Sequence, residues 1–307
     1  MDVNQPHHRF AVTDRSFASV VKREVARLAE GFGFSPADLG KINIVVAEMV
    51  SNLAKHATQG GELLVKPLGK PVQGLEILAL DNGPGMANPL YMLEDGVSTY
   101  GSAGEGLGAI KRQASVFDLY SQPGVGTVVL ARLMKASALP PLPYRPPERY
   151  EVATVLVAKS GETACGDGYT VVERGPDLHL LALDGLGHGV QAQDATQQAI
   201  EEFMLAPKGE AVSQLRHLHE EIRRTRGAVG FLTHLDGAAQ TLTYCGIGNI
   251  SGKLFSLEGG PTGSSAKNLM SYNGIIGHNI PNTLSRQQLD WGRNKMLVLH
   301  SDGLDPI

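Results

Sequence analysis

Cysteines, aromatic residues and long apolar runs are scarce in this chain, and each shortage closes off a class of protein. Cys165 and Cys245 are its only cysteines. Two cysteines exclude a disulfide framework and a cysteine-built zinc cluster, and they suit a reducing cytoplasm. Both read as small core residues. Aromatic residues are 6% of the chain and Trp291 is the single tryptophan, which argues against a stacking platform for single-stranded nucleic acid. No apolar run approaches the ~18 residues a spanning helix needs, and no signal peptide opens the chain. The expectation is a cytoplasmic protein that neither spans a membrane nor is secreted. A net charge of -4 gives no pull toward nucleic acid or an anionic membrane.

What is present is enough for two cores. The 307 residues are 42% hydrophobic and 19% charged, the balance of a soluble globular protein, and the length points to two domains. KASALPPLPYRPPERY, residues 135–150, carries five prolines and reads as a semi-rigid spacer. The expected domains are therefore 1–134 and 151–307.

In the first half, Phe17, Val20, Val21, Val25 and Leu28 recur at helical spacing over 15–31. Ser35-Pro36 then starts a second helix, Ser as N-cap and Pro at the first helical position, which runs to about residue 57. Its apolar stripe is Ile42, Val45, Met49 and Leu53, while Glu48, Asn52 and His56 share another face at i, i+4 and i+8. A solvated polar face has the same spacing. Strands are predicted at 62–68 and 75–80, the second ending in DNGPGM, residues 81–86. A stretch containing Tyr91, Ser98 and Thr99 leads to SAGEGLG, residues 102–108, ahead of a predicted helix at 109–116. Glycines before a helix leave N–H groups and a positive dipole end for a phosphate. Phe117–Tyr120 and the strand TVVLARL, residues 127–133, close this half.

Three stretches in this order, AEMVSNLAKHA, DNGPGM and GEGLG, resemble the N box and the two glycine boxes of the GHKL family. That family includes gyrase, Hsp90-type chaperones, histidine kinases and anti-sigma-factor kinases. The resemblance covers roughly residues 10–134 and implies a GHKL-type α/β sandwich binding ATP with Mg²⁺. It implies that Glu48 is the base, Asn52 a Mg²⁺ ligand and Asp81 the acceptor of the adenine amine. Gly83 and Gly85 would shape that pocket, Gly104, Gly106 and Gly108 would hold phosphates, and Thr127 would lie near the nucleotide. A carboxylate can take a hydroxyl proton and an amide oxygen can hold Mg²⁺, so the residue types suit the roles. A short segment between the glycine boxes, and no hairpin with an acceptor histidine, resemble the anti-sigma-factor kinase branch.

The second half opens with VATVLVAK, residues 152–159, predicted as a strand. CGDGY turns into YTVVER, LHLLALD follows, 191–204 and 209–224 read as helices, and AVGFLTHLD, TLTYCGIGN and SGKLFSL alternate as strands. The order is that of an α+β layered fold with antiparallel pairing. Two Asp-Gly pairs each follow an apolar run: Asp184 in DGLGHG, residues 184–189, and Asp302 in SDGL, residues 301–304. Asp-Gly commonly makes a turn. Two carboxylates at buried strand ends could instead converge on a hard metal ion, with the glycine carbonyl as a further ligand.

GDG at 166–168, DGLGHG, GIGN at 246–249 and SDGL follow the order of type 2C metal-dependent serine/threonine phosphatases, and resemble the bacterial sporulation stage II E branch. The resemblance implies an αββα sandwich with two Mn²⁺ or Mg²⁺ ions. Asp184 would bridge both, the Gly185 carbonyl would bind one, Asp302 the other, and Asp167 would be an outer or third-metal carboxylate. His188 could be a catalytic acid or simply a polar loop residue, while His217, His219 and His300 read as a solvated helix face and a strand end. That family carries another metal-binding Asp on a later strand. The chain stops at Ile307, so the expectation is a truncated domain with weakened metal binding.

Together the resemblances imply a bifunctional regulator. A phosphatase domain would act on a phosphorylated protein such as an anti-sigma-factor antagonist, fused to an ATP-dependent serine-kinase-like domain. The alternative is a non-catalytic, nucleotide-switched partner-binding module with a vestigial phosphatase.

Overall fold

The computed structural model describes residues 5–13, 17–57, 60–93, 106–138, 150–205, 210–257 and 265–304. The chain divides into two compact units, His7–Arg145 and Pro146–Ile307. Most of the proline-rich stretch lies outside the described residues. At its start, Lys135 Nζ donates to Phe32 O at 2.6 Å and the Ala136 N–H to Asp38, so these residues belong to the first unit's packing.

The first unit runs β1 (His8–Val12), α1 (Phe17–Gly31), α2 (Pro36–His56), β2 (Gly61–Leu68), β3 (Gly74–Asp81), α3 (Gly106–Gln113), β4 (Val116–Gln122) and β5 (Gly126–Met134). The strands form an antiparallel sheet in the order β1-β2-β3-β5-β4. Alternate residues, Leu63 and Val65, Leu75 and Ile77, Ala131 and Leu133, pack with Val25, Ile42, Val45, Met49 and Ile110 of the helices. Period-2 strands meeting period-3.6 helices in this way make an α/β sandwich. Ser35 caps α2 through its Oγ, which accepts from the Asp38 N–H at 3.2 Å, and Pro36 fills the first turn. On the opposite sheet face Glu76, 3% exposed, meets His7, Lys66 and Arg132.

Two details differ from expectation here. β1 was not anticipated, and α3 starts at Gly106 rather than after Gly108. Gly106 and Gly108 therefore lie in the first turn of the helix itself, which packs against α2.

The second unit runs β6 (Asp167–Arg174), β7 (Asp177–Gly185), α4 (Val190–Leu205), α5 (Ala211–Glu221), β8 (Ala228–Asp236), β9 (Thr241–Ile247), β10 (Ser251–Ser256), β11 (Ser265–Leu269), β12 (Ser271–Tyr272), β13 (Gln287–Asp290) and β14 (Lys295–His300). A six-stranded sheet follows β12-β9-β8-β7-β6, with β13 also on β9, and a three-stranded sheet follows β11-β10-β14. Leu181, Leu183, Leu232 and Cys245 pack under the two helices with Ile200, Phe203 and Leu215. Their strand neighbours Ala182, Phe231 and Tyr244 face Leu254, Leu297 and Leu299 of the second sheet. The described residues thus stack as helix pair, sheet and sheet, and the chain is a mixed α/β protein of two domains.

Residues 152–159 hold no ladder strand. They form only an isolated bridge at Val157. His219 is also not solvated: it is 7% exposed and its Nδ1 accepts from the Gly277 N–H at 3.1 Å.

Candidate functional site

In the first unit, α2 lifts Glu48, Asn52 and His56 along one face, all half-buried. The start of α3 comes directly against them. A Cβ added at Gly106 would lie 2.8 Å from Glu48 Oε2 and 3.8 Å from Asn52 Oδ1, so any larger residue would displace the Glu48 carboxylate. Gly108 is buried one turn into the same helix. Asp81 ends β3, and its Oδ1 accepts from the Gly83 N–H at 2.7 Å. Gly83 sits under the end of α2, where a Cβ would meet the His56 carbonyl at 2.5 Å. Gly85, at φ 67°, crosses the Gln122 carbonyl with no room for a side chain. Thr127 stands opposite Asp81 across β3 and β5, and its hydroxyl lies 2.9 Å from Ser121 Oγ. Burial, then the adjacent Lys55, push the His56 imidazole below its ordinary pKa, against a smaller upward pull from Asp81. Glu48, Asn52, Asp81, Gly83, Gly85, Gly106, Gly108 and Thr127 therefore sit in one region of the unit. Gly104 lies outside the described residues.

In the second unit, Asp167 and Asp184 are direct partners across β6 and β7. Asp184 has the strand parity of Ala182, which faces the gap between the two sheets. The turn after β14 reaches the same place, where Ser301 Oγ donates to Asp167 Oδ2 at 2.7 Å. Burial, Asp167 and then Asp302 push the Asp184 carboxyl up to about 7. Burial is also the first cause that raises Asp167, and Asp302 adds to it. Asp167, Asp184 and Asp302 thus feel one another although they come from distant stretches. All offer hard oxygen donors, which suits Mg²⁺ or Mn²⁺. Among the described residues, however, no group of three or more His, Cys, Asp and Glu side chains is disposed to hold a metal ion. The donor chemistry fits, while the geometry is that of a carboxylate pair with a third charge nearby.

Gly185 has a structural duty as well: a Cβ there would lie 2.3 Å from the Ala192 carbonyl of α4. Three features of this loop were not legible beforehand. His188 Nδ1 lies 2.6 Å from Glu162 Oε1, and the Arg226 guanidinium rests on Gly187, 2.8 Å from where a Cβ would be. The third is the hydrogen bond that Ser301, from the turn after β14, donates to Asp167 beside this loop. Their partners are tens of residues away, so no local pattern announces them. Cys165 and Cys245 are both buried, and burial first raises each thiol to about 11. Among the described residues no helix is long and apolar enough to cross a membrane.

A sandwich with a carboxylate–amide helix face against a glycine helix start defines a GHKL-type, kinase-like region. Paired aspartates between two sheets are the feature by which the second unit resembles a type 2C-like phosphatase. Residues 10–133 match the histidine kinase-like ATPase domain family. Serine/threonine-protein kinase RsbT of Bacillus subtilis is 34% identical over 113 residues, 36% of this chain and 85% of that protein. The chain belongs to this RsbT-related family of histidine kinase-like ATPase domains. Phosphoserine phosphatase RsbX of Bacillus subtilis is 24% identical over 159 residues, 52% of this chain and 76% of that protein. A solved structure of RsbX in complex with magnesium superposes with a TM-score of 0.44 at 20% identity, covering 49% of this chain and 73% of that one.

Proposed function

We propose that this chain is a cytoplasmic partner-switching regulator that removes phosphate from a phosphoserine or phosphothreonine protein and binds ATP in a serine-kinase-like domain. Its partner would be an anti-sigma-factor antagonist or a similar stress-signalling protein. The observation that carries the phosphatase half is the meeting of Asp167, Asp184 and Asp302 at one end of the gap between the sheets. Two uncompensated carboxylates at adjacent strand positions are costly, and a cation would remove the cost.

In this reading Asp184 and Asp302, with the Gly185 carbonyl, hold Mn²⁺ or Mg²⁺, and Asp167 is an outer ligand oriented by Ser301. Bound there, the metal would supply Lewis-acid polarisation of the phosphate and a reactive water. The chain's own residues hold the site and position the substrate phosphate at the mouth of the gap. In the first domain Glu48 takes the hydroxyl proton of the acceptor, Asn52 orients Mg²⁺, and Asp81 accepts from the adenine amine. Gly83 and Gly85 leave room for the base, Thr127 lines its edge, and the Gly104, Gly106 and Gly108 stretch meets the phosphates.

A second reading has its own support. Without a three-carboxylate cage among the described residues, the phosphatase half could be vestigial and the first domain a nucleotide-switched binding module. One experiment separates the two. Purified chain is incubated with labelled ATP, then separately with a phosphorylated antagonist and Mn²⁺. Transfer or release supports the catalytic reading, and tight binding with neither supports the module.

A further inference from the structure

At the end of the six-stranded sheet away from Asp184 lies a cleft of about 610 Å³. His179 on β7 and His234 on β8 are direct cross-strand partners, and their rings stack with centroids 4.3 Å apart and 4° between planes. His179 is 6% exposed, its Nδ1 has no hydrogen-bond partner, and neither has His234 Nε2. Buried polar atoms are normally paired, so these two nitrogens are candidates for contact with a ligand. His179 has the parity of Leu181 and Leu183, so the pair lies on the helix side of the sheet, whereas Asp184 faces the other side. Five residues of strand put the cleft roughly 17 Å from the aspartates.

The acids around the cleft are already committed. Asp236 Oδ1 accepts from the Ala238 and Ala239 N–H groups, and Asp177 Oδ1 from that of Gly237. Asp177 Oδ2 stands 3.8 Å from His234 Nε2, and Glu210 pairs with Arg286 at 3.4 Å. Arg174 lines the cleft and has no ion pair among the described residues. Burial, then His234, push the His179 imidazole down to about 4, so at neutral pH it is uncharged and carries one N–H. Glu210 opens α5 without a side-chain cap, which leaves N–H groups of the first turn at the rim. Arg174 is thus the uncommitted cation of the cleft, while Arg286, more than half exposed, would exchange Glu210 for a ligand. Parallel stacked rings send their in-plane lone pairs side by side rather than to one point, and no metal cage is present among the described residues.

We propose that this cleft is a second ligand site, for a small phosphate-bearing molecule held by Arg174 and Arg286 above the His179–His234 pair. Guanidinium groups bind phosphate through paired, charge-assisted hydrogen bonds, and an imidazole N–H supplies a third contact. A cleft of this size accepts inorganic phosphate or a mononucleotide.

The test follows the imidazole NMR signals of His179 and His234 in the full chain. These signals report this cleft directly, because both rings line it. Inorganic phosphate and AMP are titrated separately, with sodium chloride at matched ionic strength as control. The expectation is a saturable shift with phosphate, absent with chloride. Tighter binding of AMP would assign a nucleotide phosphate, and equal or weaker binding the free anion. Arg174→Gln and Arg286→Gln change surface side chains and should each weaken binding roughly ten- to hundredfold with the melting temperature kept. Signals that ignore phosphate and AMP, that respond equally to chloride, or that saturate identically in both variants overturn the proposal.

Discussion

Asp167 stands directly opposite Asp184 across β6 and β7, a like-charged pair at the mouth of the gap between two sheets. Sheets normally avoid such pairs because the charges repel at close range. Here burial adds to the repulsion, and Asp302 adds more. An arrangement that costs stability in the free protein is expected where a ligand later removes the cost.

Asp184→Asn should therefore stabilise the metal-free second unit, by about 1–2 kcal/mol, because it removes one charge from the cluster. The same variant should lose the stabilisation that Mn²⁺ gives the wild type by linkage. Thermal unfolding with and without Mn²⁺ measures both. A variant less stable than wild type without metal, yet still stabilised by Mn²⁺, would remove Asp184 from the site.

The Glu76 network gives a pH dependence with a definite sign. Burial pushes the carboxyl up, but the His7 hydrogen bond, Lys66 and Arg132 outweigh it and hold it at about 2 against an ordinary 4.5. A depressed carboxylate binds fewer protons folded than unfolded. Its contribution is therefore complete above about pH 4.5 and is lost as pH falls toward about 2, with a size of about 3 kcal/mol. Glu76→Gln should lower the urea midpoint of the first unit at pH 7. The gap to wild type should close progressively below about pH 4.5. A gap that persists unchanged at low pH contradicts the assignment.

Asp81→Asn should weaken ATP binding roughly ten- to hundredfold, since an amide can replace the acceptor at Gly83 but mismatches the adenine amine. Calorimetry with Mg²⁺ and a non-hydrolysable analogue reads this. Equal affinity would place the adenine elsewhere.

Glu48→Gln separates binding from transfer. Its carboxylate lies at the start of α3, beside the Gly106 backbone. The variant should keep ATP affinity within a few-fold and lose phosphoryl transfer to the antagonist by roughly a hundredfold or more. Full transfer activity would rule out Glu48 as the base.

The first unit was the more legible half. α2 carries an N-cap, a proline at its start and a continuous apolar stripe, so its extent could be read to within about a residue. Asp81 closes an apolar strand, and that too is a local pattern. The glycine pattern places the start of α3 about one turn late, since Gly106 and Gly108 lie inside the helix beside Glu48 rather than ahead of it. In the second unit, residues 152–159 have strand composition yet form only an isolated bridge at Val157. The His179–His234 stack joins residues on different strands through a register that no window of sequence contains. Ser301 reaching Asp167 is of the same kind: the motif was visible and its partner was not.

The most direct test is the release of inorganic phosphate from a phosphoserine-bearing anti-sigma-factor antagonist, with Mn²⁺, by wild type and by Asp302→Asn. Wild type should release phosphate only when Mn²⁺ or Mg²⁺ is added, and Asp302→Asn should be slower by roughly a hundredfold or more at equal protein stability. Release by wild type that ignores metal, or an Asp302→Asn variant as fast as wild type, would contradict the account.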